Sequence, residues 1–172
     1  MARNIEIKAH VADMDALTAR AAAIADSGPV EIAKDDTFFR CDNGRLKLRT
    51  YVDGTGHLIF YRRADQGGPK ESFYVLAPTA SPDSLREALT LANGQTGRIV
   101  KHRTVFMVGR TRVHLDRVEG LGDFMELEVV LADDEPADVG VREAHELMAR
   151  LRIPADCLIE GAYHDLLRAR GA

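Results

Sequence analysis

Residues 4–12 alternate strictly, with Ile5, Ile7 and Ala9 on one side and Asn4, Glu6, Lys8 and His10 on the other. A period of two predicts a strand. Strand-like segments recur over about residues 31–40, 45–52, 57–64, 71–77, 97–108, 111–118 and 123–132. Turn residues separate them: Asp42-Asn43-Gly44, Asp53-Gly54-Thr55-Gly56, Gly67-Gly68-Pro69, Gly109 and Gly120-Leu121-Gly122. The period changes to that of a helix over about 14–26, behind Asp13 and ended by Ser27-Gly28-Pro29, and again over 82–93, opened by Ser81-Pro82. Two further helices are expected near 137–151 and 160–170. Strands joined mainly by short hairpins predict a largely antiparallel sheet in an α+β chain. Eight strands also suffice to close a small barrel around one small ligand.

The polar faces of these strands narrow the reading. Arg45, Lys47 and Arg49 oppose Leu46, Leu48 and Thr50. Ile59, Tyr61 and Arg63 share a face, as do Ile99, Lys101 and Arg103. Arg112, His114 and Asp116 oppose Val113 and Leu115; Phe124, Glu126 and Glu128 oppose Met125, Leu127 and Val129. An antiparallel sheet with one face in water would show the same alternation. These faces, however, concentrate arginine, lysine and carboxylates, and the helices need an apolar sheet surface to cover. Helices on the outside of a curled sheet turn the charged faces inward. The expectation is one domain over residues 1–172, an eight-stranded antiparallel β-barrel (tunnel) with helices packed on the outside.

Composition removes several function classes. Hydrophobic residues make up 45% of the 172 and charged residues 29%, the balance of a folded chain rather than a disordered one. The net charge of −4 gives no basic excess for general nucleic-acid binding. Apolar runs are too short for a membrane span. The N-terminus MARNIEIKAH lacks the apolar core of a signal peptide. Cys41 and Cys157 have no CxxC spacing, so neither a zinc site nor a disulfide framework is expected. The expected location is cytoplasmic. No GxxxxGK[ST] run is present to bind phosphate.

Inside a tunnel, charges must pair or be met by a ligand. Lys8, Lys47, Arg49, Arg63, Lys101, Arg103 and Arg112 outnumber Glu6, Asp116, Glu126 and Glu128. Several phosphates would balance the surplus. Carboxylates at i and i+2 on a strand point the same way and can share a hard divalent cation, Mg2+ or Mn2+.

Glu6-Ile7-Lys8, Gly44-Arg45-Leu46-Lys47-Leu48-Arg49, Tyr61-Arg62-Arg63, Lys101-x-Arg103, Arg112-x-His114-x-Asp116 and Glu126-x-Glu128 resemble, in this order, the CYTH family. That family contains class IV adenylate cyclases and thiamine triphosphatases and is also known as the triphosphate tunnel metalloenzymes. The resemblance runs from about residue 3 to 131. It implies a tunnel barrel and a divalent-metal-dependent enzyme that hydrolyses the phosphoanhydride bond of a triphosphate-bearing small molecule. A class IV-type adenylate cyclase and a non-catalytic polyphosphate- or nucleotide-binding module are the alternatives. Glu6, Asp116, Glu126 and Glu128 would hold Mg2+ or Mn2+. Lys8, Lys47, Arg49, Arg63, Lys101, Arg103 and Arg112 would bind substrate, with Glu6, Lys8 and Arg63 catalytic. No nucleic-acid or membrane partner is expected, and a homodimer is left open. The chain departs from the family's opening Glu-x-Glu-x-Lys at Asn4, which offers a carbonyl oxygen but no charge. His114 either orients a carboxylate or phosphate or is a structural histidine. Tyr61 and Tyr74 either line the tunnel or pack.

Overall fold

The computed structural model describes residues 2–64, 68–161 and 163–170. Within them run β1 (Ala2–His10), α1 (Met14–Ile24), β2 (Ser27–Phe39), β3 (Arg45–Thr50), β4 (Gly56–Arg63), β5 (Lys70–Thr79), α2 (Pro82–Asn93), β6 (Gln95–Val108), β7 (Thr111–Val118), β8 (Gly122–Val130), α3 (Ala137–Leu151) and α4 (Tyr163–Ala169). The order in the sheet is β1-β5-β4-β3-β2-β6-β7-β8, and β8 pairs back onto β1 to close a barrel. Every pairing is antiparallel, as the hairpin spacing predicts. The start of the Gly67-Gly68-Pro69 turn lies outside the described residues.

The apolar strand faces point outward, under the helices. Ile7, Phe106, Val113, Leu115 and Leu127 pack with Leu17 of α1 and with Leu147 and Leu151 of α3. Ile5, Val129 and Leu131 meet Ala144 of α3. This contact needs a glycine: a Cβ on Gly140 would stand 2.7 Å from side-chain carbons of both Ile5 and Leu131. Asp13 caps α1, its Oδ1 accepting from Ala16 N at 3.0 Å. At one end of the barrel Phe38, Ile99 and Phe124 cluster with Tyr163 of α4.

One expectation shifts. Ser27-Gly28-Pro29 reads as the stop of the first helix, yet it belongs to the start of β2. The β2–β6 register slips between Ser27 and Val30, the mark of a bulge. Gly28 makes it feasible: φ is +108°, and a Cβ there would lie 2.7 Å from the Val105 carbonyl oxygen. Both cysteines are free. Among the described residues no helix is long and apolar enough to cross a membrane.

Candidate functional site

Strand parity sends the charged faces into the barrel, where they line a cavity of about 350 Å³. Lys8, Lys47, Arg49, Arg63, Lys101, Arg103, Arg112, Glu6, Glu126 and Glu128 all reach it. Tyr61 and Tyr74 line it as well.

One wall is built by β1, β8 and β7. Glu6 stands opposite Glu128 in the ladder, and Lys8 opposite Glu126. Arg112 and His114 stand opposite Glu128 and Glu126 on the other side. Lys8 Nζ is 3.2 Å from Glu126 Oε1, and Arg112 Nε donates to Glu128 Oε2 at 2.9 Å. From β4, Arg63 Nη1 donates to Glu6 Oε2 at 2.7 Å. His114 Nδ1 lies 3.8 Å from an oxygen of each of Glu126 and Glu128. One ligand atom from each of these three residues lies within 4.8 Å of the others, close enough to converge on one cation. The His114 Nδ1 atom is buried without a hydrogen-bond partner, and so is Asn4 Oδ1 on the same strand face as Glu6.

The electrostatics follow from burial and neighbours. Burial lowers His114 to about 4, with Arg103 adding repulsion, so the imidazole is neutral at pH 7. Burial pulls Lys8 down to about 7 against the attraction of Glu126. It raises Glu6, an effect that Arg63 opposes and that Glu128 and Glu126 reinforce. Burial also disfavours the Glu128 carboxylate, but His114, Arg112 and Arg103 outweigh it and hold the group at about 2.

The opposite wall comes from β2, β3 and β6 and is mainly basic. Its centre is Asp36, which accepts from Lys47 Nζ at 3.1 Å and from Arg49 Nε and Nη2 at 2.7 Å each. Lys34 lies on the same face of β2. Burial drives the Lys34 amine well below its ordinary value, and Arg103, Arg49 and Lys101 add repulsion. Lys34 and Asp36 are absent from the sequence-based set. Ile32, Lys34, Asp36 and Phe38 do alternate within the strand expected over 31–40, so parity could have found them.

Asp116 departs from expectation. It is completely buried and lies behind Arg103, away from the cavity lining. Arg103 Nε donates to Oδ1 at 2.6 Å; Arg103 Nη2, Lys101 Nζ and the Tyr163 hydroxyl donate to Oδ2 at 2.6, 2.8 and 2.8 Å. Burial alone would raise this carboxyl, but Arg103 and Lys101 hold it well below the usual range. With both oxygens engaged by cations, Asp116 is a brace for the basic wall and stands apart from the group of Glu126, Glu128 and His114.

The C-terminal segment supplies contacts that no motif marks. The Tyr163 ring lies 3.9 Å below Lys8 Nζ and 4.5 Å from Lys101 Nζ, a cation–π seat for both. The Gly161 carbonyl accepts from Lys8 Nζ at 3.3 Å and from Arg63 Nη2 at 3.1 Å. Arg45 is drawn outward to Asp165 of α4 at 2.6 Å.

Comparison with known proteins agrees with this architecture. The chain is 25% identical over 170 residues to adenylate cyclase CyaB of Aeromonas hydrophila, covering 94% of this chain and 87% of that protein. Among solved structures, the PH1012 protein of Pyrococcus horikoshii OT3 superposes with a TM-score of 0.84 at 19% identity, over 95% of this chain and 98% of that one. The HpAC1 protein of Hippeastrum, described as having a dominant triphosphatase activity, superposes at 0.67 with 17% identity, over 97% and 96%. The family model of the CYTH domain matches residues 2–163, and the chain belongs to the CYTH domain family.

Proposed function

We propose that this chain is a divalent-metal-dependent triphosphatase that draws the phosphate chain of its substrate into the barrel. One observation carries the reading: among the described residues, eight lysine and arginine side chains and four carboxylates line a single cavity, with two of the carboxylates converging beside an imidazole. Phosphoryl transfer requires charge neutralisation and in-line positioning more than covalent chemistry from the protein. The donor set of Glu126, Glu128 and His114 suits Mg2+ or Mn2+ by its hard oxygens, and Mn2+ further by its nitrogen. Such a cation, when bound, supplies Lewis-acid neutralisation of phosphate oxygens.

The remaining roles belong to the chain itself. Lys47, Arg49, Lys101 and Arg103 hold phosphate oxygens, arginine by paired N–H donors and lysine as a point charge. Arg63 stays charged and, fixed by Glu6 and the Gly161 carbonyl, presents a rigid donor to the phosphate being transferred. Lys8, with a pKa of about 7, changes protonation state near neutrality and can give a proton to the departing phosphate oxygen. Glu6, raised by burial, is placed to receive the proton of an attacking water.

A second reading, a class IV-type adenylate cyclase, is favoured by the relative named CyaB and by an apolar stretch of the cavity. Ile32, Leu76 and Val105 line it, and Leu76 is half exposed. There the ribose 3′-hydroxyl would attack the α-phosphorus and pyrophosphate would leave. Purified protein incubated with Mg2+ or Mn2+ and a panel of ATP, thiamine triphosphate and inorganic triphosphate separates the readings. Orthophosphate release supports the triphosphatase; cyclic AMP with pyrophosphate supports the cyclase. Tight binding without turnover on the whole panel would leave a polyphosphate-binding module.

A further inference from the structure

Every lysine and arginine lining the cavity holds a carboxylate of the chain, with one exception. Lys8 holds Glu126, Lys47 and Arg49 share Asp36, and Arg63 holds Glu6. The pairs around Asp116 and Glu128 account for the rest. Lys34 is the exception: among the described residues it has neither a hydrogen bond nor an ion pair. It is only 9% exposed. It stands opposite Lys101 in the β2–β6 ladder, with Arg103 on the same face of β6 and Arg49 approaching from β3. Asp36, two positions along its own strand, attracts it, but both Asp36 oxygens are already taken by Lys47 and Arg49.

A buried cation among three others is destabilising, and a methionine would fill the same space without that penalty. The arrangement becomes favourable when an anion from outside enters between β2, β3 and β6. We infer that Lys34 forms, with Lys101, Arg49 and Arg103, a phosphate subsite for the anionic end of a polyphosphate. The inference rests on the reading of the tunnel as a triphosphate site. It adds a proton linkage to the one that burial already gives the paired amines Lys8 and Lys47. The repelled amine holds its proton less tightly without an anion beside it than with one, so phosphate binding at Lys34 favours proton uptake from solvent.

Isothermal titration calorimetry tests this with inorganic triphosphate in the presence of EDTA, so that no turnover intrudes. Titrations at pH 8 in Tris and in HEPES, whose ionisation enthalpies differ, count the protons taken up. Lys34→Met and Lys34→Gln should bind triphosphate at least tenfold more weakly and take up fewer protons per triphosphate than the parent protein. Their thermal midpoints without ligand should be equal to or above the parent's. Variants that bind with parental affinity, or that bind more weakly with an unchanged proton count, overturn the subsite while leaving the tunnel reading intact. A parent protein that does not bind triphosphate overturns both.

Discussion

Arg103 donates to Asp116 at two points, from Nε to Oδ1 and from Nη2 to Oδ2, each at 2.6 Å. The same Nη2 reaches Glu126 Oε2 at 3.0 Å. Asp116 therefore fixes, from behind, the guanidinium that joins the two walls of the cavity. A carboxylate in this position is engaged as a structural counter-ion, although strand parity alone places it with Arg112 and His114.

Asp116→Asn should accordingly act on stability before it acts on metal. Lys101 and Arg103 would remain buried without their full counter-charge, a loss of about 3–5 kcal/mol. Urea unfolding should show that loss, while the Mn2+ titration midpoint of the folded variant stays in place. A variant of parental stability with a weakened metal midpoint would return Asp116 to the ligand set.

His114 should make the site discriminate between cations. Its Nδ1 is buried, unpartnered and 3.8 Å from both Glu126 and Glu128. Imidazole nitrogen suits Mn2+ better than Mg2+. His114→Phe should weaken Mn2+ binding by about tenfold, roughly 1.4 kcal/mol, and Mg2+ binding much less. Mn2+ binding followed by electron paramagnetic resonance, with Mg2+ as competitor, reads both affinities. Equal losses for the two ions would identify a structural histidine.

Asn4→Glu should behave oppositely with and without metal. The new carboxylate would sit in the cavity wall on the face that carries Glu6, whose own ionisation burial already disfavours. The metal-free melting temperature should fall. The half-saturating Mn2+ concentration should also fall, by about tenfold or 1.4 kcal/mol if the missing charge limits the site. If neither quantity changes, position 4 lies outside the working site.

Acid should loosen the metal-free protein in two steps. Between about pH 6.5 and 4 the unfolded chain protonates His114 while the folded protein resists, so stability falls as pH falls. Between about 4.5 and 2 the depressed Glu128 does the same. Glu6, raised in the folded state, works in the opposite direction. Thermal midpoints from pH 3 to 7 should therefore rise with pH, and His114→Asn should flatten the slope between 4 and 6.5. An unchanged slope would assign that step to another group.

Parity along β1, β3, β4, β6, β7 and β8 was enough to identify most of the lining, because the inward positions of each concentrate charge while the outward ones are mainly apolar, with charges such as Arg3, Arg62 and Arg117 toward the strand ends. In β2 the run Lys34-Asp35-Asp36 places charge on both faces, and Asp35 pairs outward with Arg98. The contrast between the faces is blurred there, so Lys34 and Asp36 emerge only from counting positions along the strand and not from charge. Parity also carries no information about depth. Asp116 and Glu126 are equally inward by count, but Asp116 lies toward the end that Tyr163 and Phe124 fill. Tyr163 itself belongs to no strand. Only the folding back of α4 brings it beneath Lys8.

The barrel closes where β1 meets β8, the first and last strands in sequence, and this closure joins Glu6 and Lys8 to Glu126 and Glu128. The acidic wall is thus a clasp. It does not exist in a partly zipped sheet, whose earlier hairpins can form without it. Closing so long a loop is entropically expensive and comes at the slow end of folding times. An ion or phosphate chain gripped across the clasp would recognise only the finished ring, so its binding free energy would add to the stability of the whole molecule against global unfolding.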